Sequence, residues 1–199
     1  MSNLRIYKTH SDVAIPSFGT DQAACFDLAV CSSGKTEYKG FNSSNREFIR
    51  NFSDGNIVLM PGDRVLVPTG IIFDIPTGYS LRIHARSGLS LKQGLILANS
   101  EAVIDSDYVL ETMVMLTNVS LNAQIIRNGD RVAQAELVTQ LKYGIEETPI
   151  KPMQKTNRTG GLGSTGVSAF STENAQIQLN ETTAEQTVKR GRGRPRKVA

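Results

Sequence analysis

Five short segments of the chain combine side chains that could do chemistry with glycines and turn-forming residues. They are residues 24–28 (ACFDL), 85–90 (ARSGLS), 99–108 (NSEAVIDSDY), 129–134 (GDRVAQ) and 158–166 (RTGGLGSTG). A guanidinium beside backbone amides can bind a phosphate, and a carboxylate in a tight turn can take a proton from water. These residue types therefore indicate chemistry at a phosphorylated substrate.

Each segment taken alone also has a structural explanation. Arg86 and Ser87 could be a surface arginine beside a helix-capping serine, and Asp105 could bond the backbone of its own turn. Arg131 could form an ordinary surface salt bridge. The glycine-rich stretch 158–166 would otherwise be interpreted as a linker. The order and spacing of all five segments is what favours a shared site.

In this order and at this spacing, the five segments resemble the five motifs of the homotrimeric dUTP diphosphatase (dUTPase) family. The resemblance extends over residues 24–166. It implies an all-β fold, a distorted jelly-roll or β-clip barrel with one short helix. It also implies hydrolysis of dUTP at the α-phosphorus to dUMP and diphosphate, with Mg²⁺ as cofactor, in a homotrimer whose active sites are shared between subunits.

The resemblance implies roles around the phosphates. Asp105 would orient and deprotonate the water that attacks the α-phosphorus. The residues that would bind the phosphate chain are Arg86, Ser87, Gly88, Gln134 and Arg158, the last on the γ-phosphate. Asp27 and Arg131 would form a buried ion pair at the floor of the site, a pair whose disruption costs about 3–5 kcal/mol. Mg²⁺ would be held mainly by phosphate oxygens, with Asp27 reaching it through water.

The resemblance also implies how the nucleoside is selected. Tyr108 would pack its ring against the deoxyribose and leave no space for a 2′-hydroxyl. The residues whose hairpin backbone would bond the uracil edge are Asn99, Val103 and Ile104. Asp107 is expected to be structural, because the reaction needs one base here.

The C-terminal arm, residues 151–166, is expected to close over the nucleotide. Its contacts would come from Leu162, Gly163 and Ser164. Leu162 stands where the family usually has Phe, so it would cover the uracil without ring stacking. The other departures from the family pattern are Cys25 and Ala102 in place of Gly, and Val109 and Leu110 in place of Arg-Gly. None of them removes the base, the arginines or the tyrosine, so we expect the reaction class to be kept and the hairpin to form.

Short β-rich runs alternate with turns between residues 57 and 145, which is typical of a β-sandwich or barrel. Residues 87–93 are expected to form one or two helical turns that end at Gly94. The segment 132–141 would also suit a helix, and we interpret it as a strand because Val and Thr recur in it. Residues 32–56 are rich in Ser, Asn, Gly and Lys and are interpreted as an insertion, either a long loop or an irregular hairpin. The folded β domain is predicted to span residues 1–150.

The net charge of +3 over 199 residues belongs to the C-terminal end of the chain. Residues 167–199 hold six basic and three acidic groups, which leaves 16 of each sign in residues 1–166. Residues 167–188 are too polar to bury a core and are predicted to be a disordered linker. The part of the chain that does the chemistry is therefore electrically balanced.

The last residues, 189–199, form a basic tail that resembles an AT-hook. Its central residues are Arg192, Gly193, Arg194 and Pro195. An extended Arg-Gly-Arg-Pro segment fits the narrow minor groove of A·T-rich DNA. A solvated cationic tail that binds any polyanion explains the same residues equally well. Together the insertion and the tail suggest a phage or viral member of the family.

Several other classes of protein are excluded by the sequence. The apolar runs are too short to span a membrane, and residues 1–8 lack the apolar core of a secretory signal. Cys25 and Cys31 are expected to be reduced, with a bridge between them as the alternative. These cysteines and the two histidines, His10 and His84, lack the spacing of a zinc site. The expected location is the cytoplasm, or the host cytoplasm for a phage-encoded chain.

Two rival functions remain open at this point. A dCTP deaminase would share the fold and the Arg-Ser segment, but would be expected to lack the hairpin with Asp105 and Tyr108. A non-catalytic trimer could instead serve as a DNA- or protein-binding regulator through the tail and the insertion.

Overall fold

The computed structural model describes residues 3–158, 160 and 161. The chain divides into two compact units, Met1–Gly144 and Ile145–Ala199. In the described residues of the second unit there is no helix or strand. The linker predicted at 167–188 and the basic tail at 189–199 lie outside the described residues.

The described part of the first unit consists of thirteen β-strands and one short helix, which confirms the predicted all-β class. The strands are β1 (Arg5–Lys8), β2 (Phe26–Ala29), β3 (Glu37–Phe41), β4 (Glu47–Asn51), β5 (Ile57–Leu59), β6 (Arg64–Pro68), β7 (Ile71–Asp74), β8 (Tyr79–Ala85), β9 (Leu95–Leu97), β10 (Ala102–Ile104), β11 (Met113–Asn118), β12 (Gln124–Ile126) and β13 (Arg131–Thr139). The helix is α1 (Ser87–Gln93). Among these residues no helix is long and apolar enough to cross a membrane.

The strands pair antiparallel in four sheets. The two larger sheets have the orders β10-β8-β13-β2 and β4-β3-β6-β11-β9, and the two smaller ones pair β1 with β7 and β12 with β5. Alternate residues of the larger sheets point into one hydrophobic core, as the two-residue period of strands requires. Leu28, Leu81 and Ile83 come from the first sheet, and Val65 and Leu116 from the second. The core therefore fixes the register of the strands that carry the candidate site.

The helix lies where the sequence predicted it. It begins at Ser87, directly after β8, and ends at Gly94, whose φ of 65° is left-handed. The Gly94 N–H donates to the Leu89 carbonyl and closes the last turn. A Cβ at Gly94 would lie 2.9 Å from the Cβ of Ser120. Both the left-handed φ and this close approach therefore require glycine at position 94.

Residues 32–56 form a regular hairpin and not a long loop. Strands β3 and β4 pair in register from Glu37 opposite Asn51 to Phe41 opposite Glu47. Strand β3 also pairs with β6, so the hairpin is the edge of the five-stranded sheet. Tyr38 on β3 is 5% exposed and belongs to the hydrophobic core. The predicted insertion is therefore an integral part of the fold.

A buried carboxylate fastens this hairpin to the rest of the sheet. The Asp63 side chain is 2% exposed, and its Oδ2 accepts a 2.6 Å bond from Arg50 Nη1 and a 3.0 Å bond from the Met60 N–H. The Arg50 guanidinium also lies 3.7 Å from the centre of the Phe48 ring. Burial by itself lowers the pKa of Arg50, but the hydrogen bond and charge of Asp63 raise this pKa overall.

The two cysteines are free thiols, as predicted. Cys31 is buried, and Cys25 is half-buried at the start of β2. Burial raises the pKa of Cys25, and the nearby charges of Glu136 and Asp27 raise it further. The Cys25 thiol therefore stays protonated at neutral pH and behaves as a small packing group.

Candidate active site

Three of the predicted segments meet on the four-stranded sheet. Gln134 on β13 lies opposite Asp27 on β2 and opposite His84 on β8. Arg86 follows the end of β8 by one residue, and the Gln134 Nε2 donates to the Ala85 carbonyl at 3.2 Å. The strand register therefore brings together residues that are far apart in the sequence.

The Asp27 carboxylate holds two arginines. Its Oδ1 lies 2.9 Å from Arg86 Nε, and its Oδ2 lies 2.9 Å from Arg131 Nη1. The pair with Arg131 was expected to be buried, but the Arg131 side chain is 61% exposed and Asp27 is 24% exposed. Arg131 is the first residue of β13, where the chain leaves a surface turn, so its side chain lies along the surface. The expectation of burial was wrong.

The pair between Asp27 and Arg86 was missed by sequence reasoning. The Arg86 Nη1 also donates to the Arg131 carbonyl at 2.7 Å, so its guanidinium is fixed against both β2 and β13. A pairing between strands that are distant in the sequence leaves no local signal at Arg86. The contacts of Arg86 with Asp27 and with the Arg131 carbonyl thus connect the first, second and fourth segments.

The start of helix α1 offers an open surface beside Arg86. Arg86 is extended, with φ −91° and ψ 124°, and no side-chain hydrogen bond caps the helix. Ser87 and Gly88 are both exposed. A Cβ at Gly88 would meet nothing within 4 Å, so the packing of this chain leaves room there for a bound group.

A pocket of about 340 Å³ lies between α1 and the turn before β13. Three arginines line it, namely Arg86, Arg127 and Arg131. The turn is closed by a 3.0 Å bond from the Asp130 N–H to the Arg127 carbonyl, and Asp130 Oδ2 accepts the Arg127 N–H at 2.8 Å. Asp130 is therefore the cap of this turn. Asp130 also lines the pocket, and Asp27 pairs with Arg86 and Arg131, so three guanidinium groups against two carboxylates leave a net positive charge that suits an anion.

Arg127 is a further candidate that sequence reasoning did not select. It stands four residues before Arg131, at the first position of the same turn. The available signal was a second arginine flanking the Asn-Gly-Asp turn, which can bring two cations to one side of it.

The other predicted residues form a second cluster at the edge of the same sheet. Asn99 and Ser100 lie in the turn between β9 and β10, where Ser100 has a left-handed φ of 64°. Val103 and Ile104 are on β10, opposite Arg82 and Leu81 of β8. Ala102 is the first residue of β10, but β10 pairs with β8 and not with a strand next to it in the sequence, so the expected hairpin is not found among the described strand pairs.

Asp105 and Tyr108 occupy a tight turn that follows β10. The Tyr108 N–H donates to the Asp105 carbonyl at 3.1 Å, and the Tyr108 hydroxyl donates to the Glu111 carbonyl at 3.3 Å. Asp105 and Asp107 are exposed, and Tyr108 is 37% exposed. A carboxylate and an aromatic ring are therefore presented to solvent side by side.

The two clusters are far apart within one chain. Ile104 lies opposite Leu81, so Asp105 is level with Ser80, six residues from Arg86 along an extended strand. Six residues of strand span about 20 Å, and strands β10 and β2 are separated by three spacings of about 4.8 Å. Since the Arg86 guanidinium is bound to β2, it points away from Asp105. Asp105 and Arg86 of one polypeptide are therefore too far apart to contact the triphosphate of one nucleotide.

The last predicted segment belongs to the second unit. Arg158 is exposed, and its Nε donates to the Gly160 carbonyl at 2.9 Å. Leu162, Gly163 and Ser164 lie outside the described residues, as do Arg192 and the rest of the basic tail.

The chain has an all-β fold in which the predicted motif residues form two clusters, and comparison with known proteins gives its family. The family model described as dUTPase matches residues 52–166. The chain is 36% identical over 165 residues to a deoxyuridine 5'-triphosphate nucleotidohydrolase of Hydrogenobaculum, covering 82% of this chain and 98% of that protein. A protein of the same name from Brucella melitensis is 44% identical over 113 residues, covering 57% and 71% of the two chains. The chain belongs to the dUTPase family.

Solved structures agree on the fold. A dUTPase from Streptococcus mutans has a TM-score of 0.55 at 24% identity, covering 72% of this chain and 99% of that one. The dUTPase of Staphylococcus bacteriophage 80alpha has a TM-score of 0.66 at 17% identity, covering 84% and 100%. The predicted barrel of the dUTPase type is thereby confirmed.

Proposed function

We propose that this protein hydrolyses dUTP to dUMP and diphosphate, lowering dUTP and supplying the precursor of dTTP. The observation that carries the proposal is the family match over residues 52–166, together with an exposed Asp105 and Tyr108 in the turn that the motif predicts. The named relatives are deoxyuridine 5'-triphosphate nucleotidohydrolases.

Asp105 acts as the general base. It accepts a proton from a water whose oxygen attacks the α-phosphorus, and the bond from that phosphorus to the bridging oxygen of the β-phosphate breaks. The electron pair leaves with diphosphate. Exposure of Asp105 supports this role, because the carboxylate is free to meet both water and nucleotide. A positioned base contributes about 10²–10⁴-fold to such a reaction.

The arginine cluster binds the phosphates. Arg86 is oriented by Asp27, Ser87 and Gly88 are exposed, and the space beside Gly88 is open. Gln134 lies in the same row of the sheet and reaches the phosphates and the attacking water. Arg158 of the C-terminal arm adds a clamp on the γ-phosphate.

The second cluster selects the nucleoside. The ring of Tyr108 packs against the deoxyribose and excludes a 2′-hydroxyl. The backbone at Asn99, Val103 and Ile104 bonds the uracil edge. Leu162, Gly163 and Ser164 close over the nucleotide from the arm, so that water other than the nucleophile is kept out.

The cofactor of this reaction is Mg²⁺. Within the described residues no group of three or more His, Cys, Asp or Glu side chains is placed to hold a metal, which fits an ion held mainly by phosphate oxygens and water. Both Asp27 oxygens already contact arginines, so Asp27 would reach the ion through water. When bound, the ion neutralises charge that develops on the leaving diphosphate. A solved dUTPase from phage phi11 of S. aureus is described with a structural Mg(II) ion.

The functional unit is a homotrimer with shared sites. The separation of about 20 Å along β8 supports this, because Asp105 of one chain and Arg86 of the same chain cannot serve one nucleotide. A site completed by a neighbouring subunit resolves the separation. Since the substrate belongs to the nucleotide pool, we place the enzyme in the cytoplasm, or in the host cytoplasm if a phage encodes it.

The nearest rival is a dCTP deaminase, and one assay separates the two. The protein is incubated with dUTP, dCTP, dTTP and UTP in the presence of Mg²⁺, and the products are resolved by chromatography. We expect dUMP and diphosphate from dUTP and little turnover of the others. Ammonia and dUTP formed from dCTP would overturn the proposal in favour of the deaminase.

We also propose that the basic tail tethers the enzyme weakly to A·T-rich DNA through Arg192, Gly193, Arg194 and Pro195. The sequence alone supports this step. Binding of A·T and G·C duplexes at several salt concentrations tests it. A preference for A·T duplexes that is lost when residues 189–199 are removed is the expected result. Equal affinities that only fall with salt would leave nonspecific polyanion binding.

A further inference from the structure

Glu111 provides one of the contacts that hold the turn carrying Tyr108. The Tyr108 hydroxyl donates to the Glu111 carbonyl at 3.3 Å, so the far end of the ring is fixed by the position of residue 111. The next residue, Thr112, is fully buried, and its N–H donates to the Ile71 carbonyl at 2.8 Å. The backbone of Glu111 therefore helps to set the position of the tyrosine ring.

The Glu111 carboxylate is held from two sides. Its Oε1 accepts the Gly70 N–H at 2.8 Å, and its Oε2 lies 2.7 Å from the Lys35 ammonium. The side chains of Lys35 and Glu111 are 30% and 19% exposed, so the pair is partly shielded from water. A shielded, short, charge-assisted bond is worth more than an exposed surface pair.

Lys35 belongs to residues 32–56, and backbone hydrogen bonds hold it in position. Its N–H donates to the Ser32 carbonyl at 3.0 Å in a turn with Gly34 at a left-handed φ of 73°. The Ser32 N–H in turn donates to Asn128 Oδ1 at 2.9 Å. Lys35 also lies before the range 52–166 that the family model matches.

We propose that Lys35 is a positioning residue for sugar selectivity. It holds Glu111, and through the Glu111 carbonyl it holds the Tyr108 ring that excludes a 2′-hydroxyl. The proposal rests on the proposed function of Tyr108. It gives the hairpin of residues 32–56 a role in discrimination between dUTP and UTP.

The test compares kcat/KM for dUTP and for UTP in the native protein and in Lys35→Met. We expect the ratio for dUTP over UTP to fall by about tenfold, the size of effect typical of coupled contacts. Lys35→Arg keeps a cation opposite Glu111 and should restore the ratio. Lys39→Met, at an exposed lysine of the same hairpin, is the matched control and should leave the ratio unchanged.

The outcomes separate this inference from the proposed function. If the native protein releases no diphosphate from dUTP, the proposed function fails. If it does so and Lys35→Met lowers both activities equally, Lys35 is merely structural and the inference is overturned. Glu111→Gln gives the same measurement if Lys35→Met does not fold, because it removes the charge opposite Lys35 while an oxygen remains for the Gly70 N–H.

Discussion

Asp27 links Arg86 and Arg131, since its two oxygens each lie 2.9 Å from a guanidinium nitrogen. The motif pattern predicted Arg131 as its partner, and the structure adds Arg86. The sequence could not reveal the second partner because the contact depends on the pairing of β2, β13 and β8. It also could not reveal the exposure of Arg131, which follows from its place at the start of a strand.

Replacement of Asp27 by Asn should weaken both the fold and substrate binding. Asn keeps the shape but lacks the charge that holds two guanidinium groups, so we expect a loss of about 1–2 kcal/mol in the free energy of unfolding. Because Arg86 would lose its orientation, KM for dUTP should also rise. Urea denaturation and steady-state kinetics measure the two effects.

Asp74→Asn is the matched control for Asp27→Asn. Asp74 pairs with Arg5 through side chains that are 60% and 77% exposed, and such pairs contribute about 0–1 kcal/mol. An unchanged KM in Asp27→Asn would show that Arg86 does not depend on this carboxylate.

Among the elements, helix α1 could be predicted from the sequence, whereas the regular hairpin β3–β4 could not. The helix ends where Gly94 predicts, because a left-handed cap leaves a local signature. For residues 32–56 the sequence indicates a long loop or an irregular hairpin, because the segment is rich in Asn, Gly and Lys, which are depleted in strands. A Cβ at Gly40 would lie 2.2 Å from the Arg64 carbonyl oxygen, so close contact between strands demands the residue that disfavours a strand.

Removal of the arginine that holds this hairpin should destabilise the protein strongly. Arg50→Met leaves the Asp63 carboxylate, which is 2% exposed, without its cation. We expect the free energy of unfolding to fall by about 3 kcal/mol. Thermal or urea denaturation provides the measurement.

The hairpin also supplies a control, Arg46→Met, at an exposed position in the connection between β3 and β4. The free energy of unfolding of Arg46→Met should differ from that of the native protein by no more than about 0.5 kcal/mol, as for most surface changes. Equal losses for the two variants would mean that the buried pair does not anchor the hairpin.

For the whole molecule, the central feature is that Asp105 and Arg86 lie about 20 Å apart along β8 in one chain. If neighbouring subunits complete each site, two inactive variants should restore each other. Asp105→Asn removes the base and Arg86→Gln removes a phosphate ligand. Trimers assembled from an equal, random mixture should regain about a quarter of the native rate, because about one site in four receives both native residues.

The control for this complementation is the two variants assayed separately and mixed without subunit exchange. Neither should release diphosphate at an appreciable rate. A co-assembled mixture with no activity beyond that of its parents would mean that both residues of a site come from one chain. That result would contradict the separation of Asp105 and Arg86 along β8.

The most direct test of the proposed chemistry is diphosphate release from dUTP with Mg²⁺ by the native protein, Asp105→Asn and Asp107→Asn. Both aspartates are exposed in one turn, so both variants should fold and assemble normally. We expect release by the native protein and by Asp107→Asn, and a rate lower by about 10²–10⁴-fold in Asp105→Asn. No release by the native protein, or equal rates for the two variants, would contradict it.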